Sequence, residues 1–176
     1  MELHQIQVIY RADEDRLLCR ASFKAEDGLQ EVCAWMTRRL VRNLWPSILQ
    51  TLETQVVLDK PTAAHAKTDI VGMEYQASVE TIRETGNFDV PYEAQVTGYP
   101  LGETPILVHK IDFTLYANQP IRITFSHEQG SGFEVARTLT VLHGFCALLK
   151  DAVRQAEWDM ELEMPGLAAP VQRVLN

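Results

Sequence analysis

The densest chemistry in the chain is the run Arg38-Arg39-x-x-Arg42, flanked by Trp35 and Trp45. Arg38 and Arg42 are four residues apart and share one face of any helix that passes through them. Arg20 stands upstream, together with Arg11, Arg16 and Lys24. Guanidinium groups for phosphates and rings for stacked bases are what single-stranded nucleic acid binding requires. Arg20, Trp35, Arg38, Arg39, Arg42 and Trp45 are therefore the candidate contacts for nucleic acid or for a protein partner. The same stretch also holds Asp13, Glu14, Asp15, Glu26, Asp27 and Glu31. Arginines at a helix start oppose the dipole unless acids neutralise them. Ion pairs within the protein or between subunits are the favoured reading of the cluster, with the tryptophans in the core.

Other chemistry is thin. Gly130-Ser131-Gly132 is the single Gly-x-Gly, and a β-patterned run follows it where a phosphate loop would need a helix, so it reads as a hairpin turn. His4, His65, His109, His127 and His143 show neither H-x3-H nor H-E-x-x-H spacing, which points to structural histidines and no metal site. Neither G-x-S-x-G nor S-x-x-K occurs. Cys33 or Cys146 acting with a remote histidine is a minor alternative. No catalytic residue and no cofactor is assigned.

The bulk properties agree with a folded protein. Of 176 residues, 46% are hydrophobic and 23% charged, and the net charge of -8 opposes a surface that attracts nucleic acid or anionic membrane as a whole. The length fits one α+β domain over residues 1–176, with halves at 1–58 and 105–164 joined by a helix-plus-loop segment, 59–104. The N-terminus lacks the basic start and apolar run of a secretory signal. No apolar run approaches the ~20 residues needed to span a bilayer. Three cysteines without C-x-x-C spacing suggest a reduced, cytoplasmic protein.

The elements that must position these residues form a pattern that occurs twice: strand, glycine turn, strand, amphipathic helix. One copy runs over 16–57 and the other over 121–157. They share the phrase Glu-Val-x4-Thr, at Glu31 to Thr37 and Glu134 to Thr140. On this pattern Thr37 and Thr140 each close a strand and cap a helix. Either one internal ββα repeat or two unrelated ββα units produces it. A first strand over 3–10, with its alternation slipping at Val8-Ile9, completes a meander of antiparallel strands.

Pro46 interrupts the helical stripe Leu40/Val41, Leu44/Trp45, Ile48/Leu49 and Leu52 without ending it, so one bent helix is expected. Residues 63–82 favour helix despite Gly72, and 85–104 read as loop, with a short edge strand at Tyr92, Ala94 and Val96. Residues 107–115 alternate as a single strand. Residues 158–164 alternate apolar with acidic and read as a closing strand, followed by a tail.

The expected fold is α+β: antiparallel strands in two sheet-plus-helix units, with long helices packed on the sheet. At the level of architecture alone this resembles the Whirly and Pur-type single-stranded DNA binding folds, and no motif residues carry that comparison. The leading function is a non-enzymatic cytoplasmic protein acting through protein contacts, as a homodimer or a subunit of a larger assembly. The apolar surplus of the first helix (Trp45, Leu49, Val56, Val57) motivates it. A single-stranded DNA or RNA binder is the alternative, an enzyme with scattered catalytic residues the third reading. No membrane partner is expected.

Overall fold

The structure is a computed structural model that describes residues 2–84, 91–92, 95–128, 130 and 132–167. Three strands, β1 (Glu2–Arg11), β2 (Arg16–Ala25) and β3 (Gly28–Met36), form an antiparallel meander. The two-residue β4 (Ile106–Leu107) joins β3 in parallel, giving a four-stranded sheet of order β1-β2-β3-β4. A second, antiparallel sheet has the order β5-β6-β7 (Lys110–Thr114, Ile121–Ser126, Phe133–Arg137). Helix α1 (Arg38–Asp59) follows β3. A 3₁₀ turn (Pro61–Ala66) leads into α2 (Lys67–Glu84), and α3 (Leu139–Gln155) follows β7.

Alternation dictates the faces. Leu17, Cys19, Ala21 and Phe23 of β2 are buried on one side and pair with Met36, Ala34, Val32 and Gln30 of β3. In β1 the register shifts between Leu3 and Gln5, not at Val8-Ile9 as the sequence suggests. The extra residue returns Leu3 to the face of Ile6, Val8 and Tyr10, because one inserted residue inverts the parity of everything beyond it.

The alternating run 107–115 serves two sheets rather than making one strand. Ile106 and Leu107 pair with Ala34 and Trp35. The chain then breaks at buried Val108, and the His109 N–H donates to the Ser126 carbonyl (2.9 Å) as pairing passes to β6. Period-two patterning records which side is buried but not which neighbour supplies the hydrogen bonds.

Helices α1 and α3 start where threonine can cap them. The Thr37 hydroxyl accepts from the Leu40 N–H (3.2 Å), as expected. At α3 the cap is Thr138, accepting from the Val141 N–H (3.4 Å), and Thr140 lies inside the first turn. The expected cap is thus two residues too late, and the shared phrase Glu-Val-x4-Thr does not mark equivalent positions. Helix α1 continues through exposed Pro46. Gly132 is required by packing, since a Cβ there would stand 1.8 Å from the Phe125 carbonyl oxygen. Gln129 and Ser131 of that turn lie outside the described residues, as does Ala94 of the expected edge strand.

Residues 158–164 form no strand. Trp158, Leu162 and Met164 are buried and Asp159, Glu161 and Glu163 exposed, but the segment lies along the core as an extended strap. The Trp158 indole donates to Asp15 (2.9 Å) and the Trp45 indole to the Glu163 carbonyl (3.0 Å). One apolar cluster gathers side chains from both sheets, all three helices and this strap. Trp45 and Val56 are inside it, Leu49 packs against it and Val57 is half-buried, so much of the apolar surplus of α1 is absorbed intramolecularly. Each fully buried aliphatic side chain there contributes about 1.5–3 kcal/mol.

A candidate partner-binding groove

The structure disperses the basic-aromatic cluster over three places. Arg20 and Trp35 lie on the side of the first sheet away from the main core, in the rows Arg20–Cys33 and Leu18–Trp35. Arg38 is half-buried at the start of α1, near Asp15. Arg39 and Arg42 are exposed on that helix, and Trp45 is buried at 6% exposure. No surface presents the guanidiniums and both indoles together.

Arg20 is engaged. Its guanidinium reaches both oxygens of Glu31 (3.2 and 3.0 Å), a carboxylate that is 2% exposed, and lies 4.3 Å from the centre of the Tyr92 ring. The Tyr92 hydroxyl and the Cys33 thiol also donate to Glu31. Burial, and then the adjacent Glu31, push the Cys33 thiol up to about 11, while burial pushes Cys146 up to about 12. Both therefore stand as thiols, not nucleophilic thiolates, at neutral pH. The network ties Tyr92 to β3, and backbone bonds hold Thr97 and Gly98 there: Thr97 donates to the Leu29 carbonyl and Glu31 to that of Gly98. Among the described residues no group of three or more His, Cys, Asp or Glu side chains converges as a metal site would require.

Two open grooves border these elements. The first, of about 420 Å³, runs between α1 and the β4–β5 segment. Arg39, Asn43 and Ser47 line it at four-residue spacing, facing His109, Lys110 and Asp112. Lys110 is paired with Asp112 at 2.8 Å. Among the described residues neither Arg39 nor Arg42 has an ion-pair partner.

The second groove, of about 380 Å³, is bordered by all five residues of β7, with Phe23, Val32, Pro100 and Leu101 opposite. In the sheet order β5-β6-β7 this strand is an edge, so among the described residues one row of its backbone N–H and C=O groups has no ladder partner. The inward residues Phe133 and Val135 face Phe125 and Ile123 of β6, and the Phe133 and Phe125 rings stack 4.3 Å apart. Arg137 occupies the third inward position, opposite Ile121. Burial pulls its guanidinium below the ordinary value.

Sequence reasoning missed Glu31, Tyr92 and Arg137. For Arg137 a signal was present: strict alternation in Phe-x-Val-x-Arg aims the arginine at the same side as the phenylalanine and valine. Glu31 alternates with Cys33 and Trp35 in the same way. Tyr92 could be brought to them only by the fold, sixty-one residues on. The chain matches no protein-family model, no curated protein and no solved structure.

Proposed function

We propose that this is a non-enzymatic cytoplasmic protein acting through protein contacts, as a homodimer or as a subunit of a larger assembly, and that β7 makes the contact. The observation that carries the reading is the open edge of β7 lying beside an apolar-walled groove. An extended segment of a partner chain can add to such an edge through main-chain hydrogen bonds while its alternate side chains enter the groove. The half-buried charge of Arg137 calls for a carboxylate on that segment. The two hairpin-plus-helix units belong to the same proposal as copies of one ancestral unit. The matched threonine caps Thr37 and Thr138 support this.

Light scattering on protein purified from native, nuclease-treated lysate tests the contact, comparing the wild type with Leu101→Asp. Self-association or a stoichiometric partner in the wild type, lost in a variant that melts at the same temperature, is the expected result. A free 20.0 kDa chain, or a complex indifferent to Leu101→Asp, would remove the reading.

Exposed Arg39 and Arg42, without ion-pair partners among the described residues, support a second reading in which single-stranded nucleic acid tracks the groove along α1. Fluorescence anisotropy with a labelled oligonucleotide at ~50 mM salt tests it, each lost phosphate contact lowering the salt slope by about 0.7. Absence of binding there eliminates it.

A further inference from the structure

Arg137 is an arginine on the inward side of a sheet with no counter-ion among the described residues. Its known contacts are its neighbour's carbonyl, Ala136 O at 2.6 Å, and the Phe23 ring at 5.3 Å. Among the described residues no carboxylate pairs with it, and adjacent Glu134 is on the opposite side, bound to Arg122 at 2.9 Å. A guanidinium carries five N–H donors in a planar fork suited to bidentate contact with a carboxylate. Holding such a charge half out of water is unfavourable unless a partner arrives.

The same residue lines a cavity of about 50 Å³ between the two sheets, in which it is the one charged side chain among the described lining residues. Ile6, Cys19, Phe113, Leu142 and Phe145 form much of the wall. Phe23, Phe133, Val135 and Arg137 line both this cavity and the β7 groove, so these four side chains form the wall that the two spaces share. Size decides what could enter. One water needs ~10–15 Å³, and an apolar cavity of roughly 150 Å³ takes up benzene. At about 50 Å³ the space is too small for a ring and suits an aliphatic branch of a few carbons.

We propose that Arg137 and this cavity form a binding site for a small monocarboxylate with a short branched aliphatic tail. The carboxylate lies in the groove and accepts from the Arg137 guanidinium, while the tail replaces empty space between Phe113, Leu142 and Phe145. The ligand's carboxylate takes the place at Arg137 that a partner segment's carboxylate would take, so a bound ligand and a bound partner strand exclude one another.

Isovalerate is the probe and isoamyl alcohol its neutral counterpart, titrated into the full chain and followed by NMR. Saturable isovalerate binding with a Kd of about 1 mM is expected for so small a ligand. Shifts should centre on the methyl groups of Val135 and Leu142, and the alcohol should bind at least tenfold more weakly. Arg137→Gln should weaken isovalerate about tenfold. Ala21→Val, which narrows the cavity from β2, should weaken both ligands. The wild-type comparison of acid with alcohol decides the matter even if a variant fails to fold. No saturation at about fifty times that Kd, equal binding of acid and alcohol, or shifts mapping elsewhere would overturn the proposal.

Discussion

Gly72, in the middle of α2, lies directly beneath Gly166 of the C-terminal strap: a Cβ on Gly72 would fall 2.4 Å from the Gly166 carbonyl carbon. A Cβ on Gly166 would in turn stand 2.2 Å from the Thr68 carbonyl oxygen, one turn earlier on α2, and Gly166 has φ +72°. Two backbones thus touch where the strap crosses the helix, and this is why a helix tolerates glycine at its centre.

Gly72→Ala should therefore destabilise the protein. At an exposed helical site the same change stabilises by about 1 kcal/mol through propensity. Here the methyl meets backbone that cannot rotate away, and we expect a net loss of about 1–3 kcal/mol. Urea denaturation of the two proteins gives the answer; a gain in stability would show that the strap does not lie on α2.

Among the described residues neither ring nitrogen of the buried His143 side chain on α3 has a hydrogen-bond partner, and the ring lies edge-on to Tyr75, ring centres 5.9 Å apart. Burial pushes its pKa down from 6.5 to about 4. The folded state then binds fewer protons than the unfolded state between these values, so stability is complete above pH 6.5 and falls as pH drops toward 4. The loss attributable to this group is about 3 kcal/mol. His143→Leu should flatten that part of the pH–stability curve and, by removing two orphaned polar atoms, stabilise at pH 7 by about 1–2 kcal/mol. An unchanged slope would assign the acid sensitivity to other groups.

The two threonines at the start of α3 separate cleanly. Thr138→Ala removes the cap on the Val141 N–H and should cost about 1 kcal/mol. Exposed Thr140→Ala sits within the helix and should be neutral or stabilising by up to about 0.5 kcal/mol, from propensity alone. Thermal melts of both variants distinguish the outcomes, and the reverse order would move the helix start by two residues.

Glu31 and Arg20 should be strongly coupled. Glu31→Gln leaves Arg20 without its charge partner at a site where the carboxylate is 2% exposed. A double-mutant cycle with Arg20→Met should return a coupling of about 1–3 kcal/mol, below the most buried pairs because Arg20 keeps 25% of its side chain in solvent. Additive losses would mean that the pair is incidental.

Periodicity made much of the fold legible. The meander of β1 to β3, the Thr37 cap, the passage of α1 through Pro46 and the helix beyond residue 63 all follow from local rules. Alternation, turn residues and helical spacing act within a few residues. Alternation also identified the buried members of 158–164 correctly while misnaming the element. An extended strap packed by its side chains and a strand paired by its backbone bury the same positions. What ties 106–107 to β3 but 110–114 to β6, sets Gly166 on Gly72, and carries Tyr92 to Glu31 is contact between segments distant in the chain. The same is true of the candidate site. Arg137 could be placed on an inward face from its neighbours alone, but the cavity beside it exists because side chains of β1, β2, β5, β6, α1 and α3 leave a gap there. Packing volume is a property of the assembled interior, and no local pattern of residues encodes it.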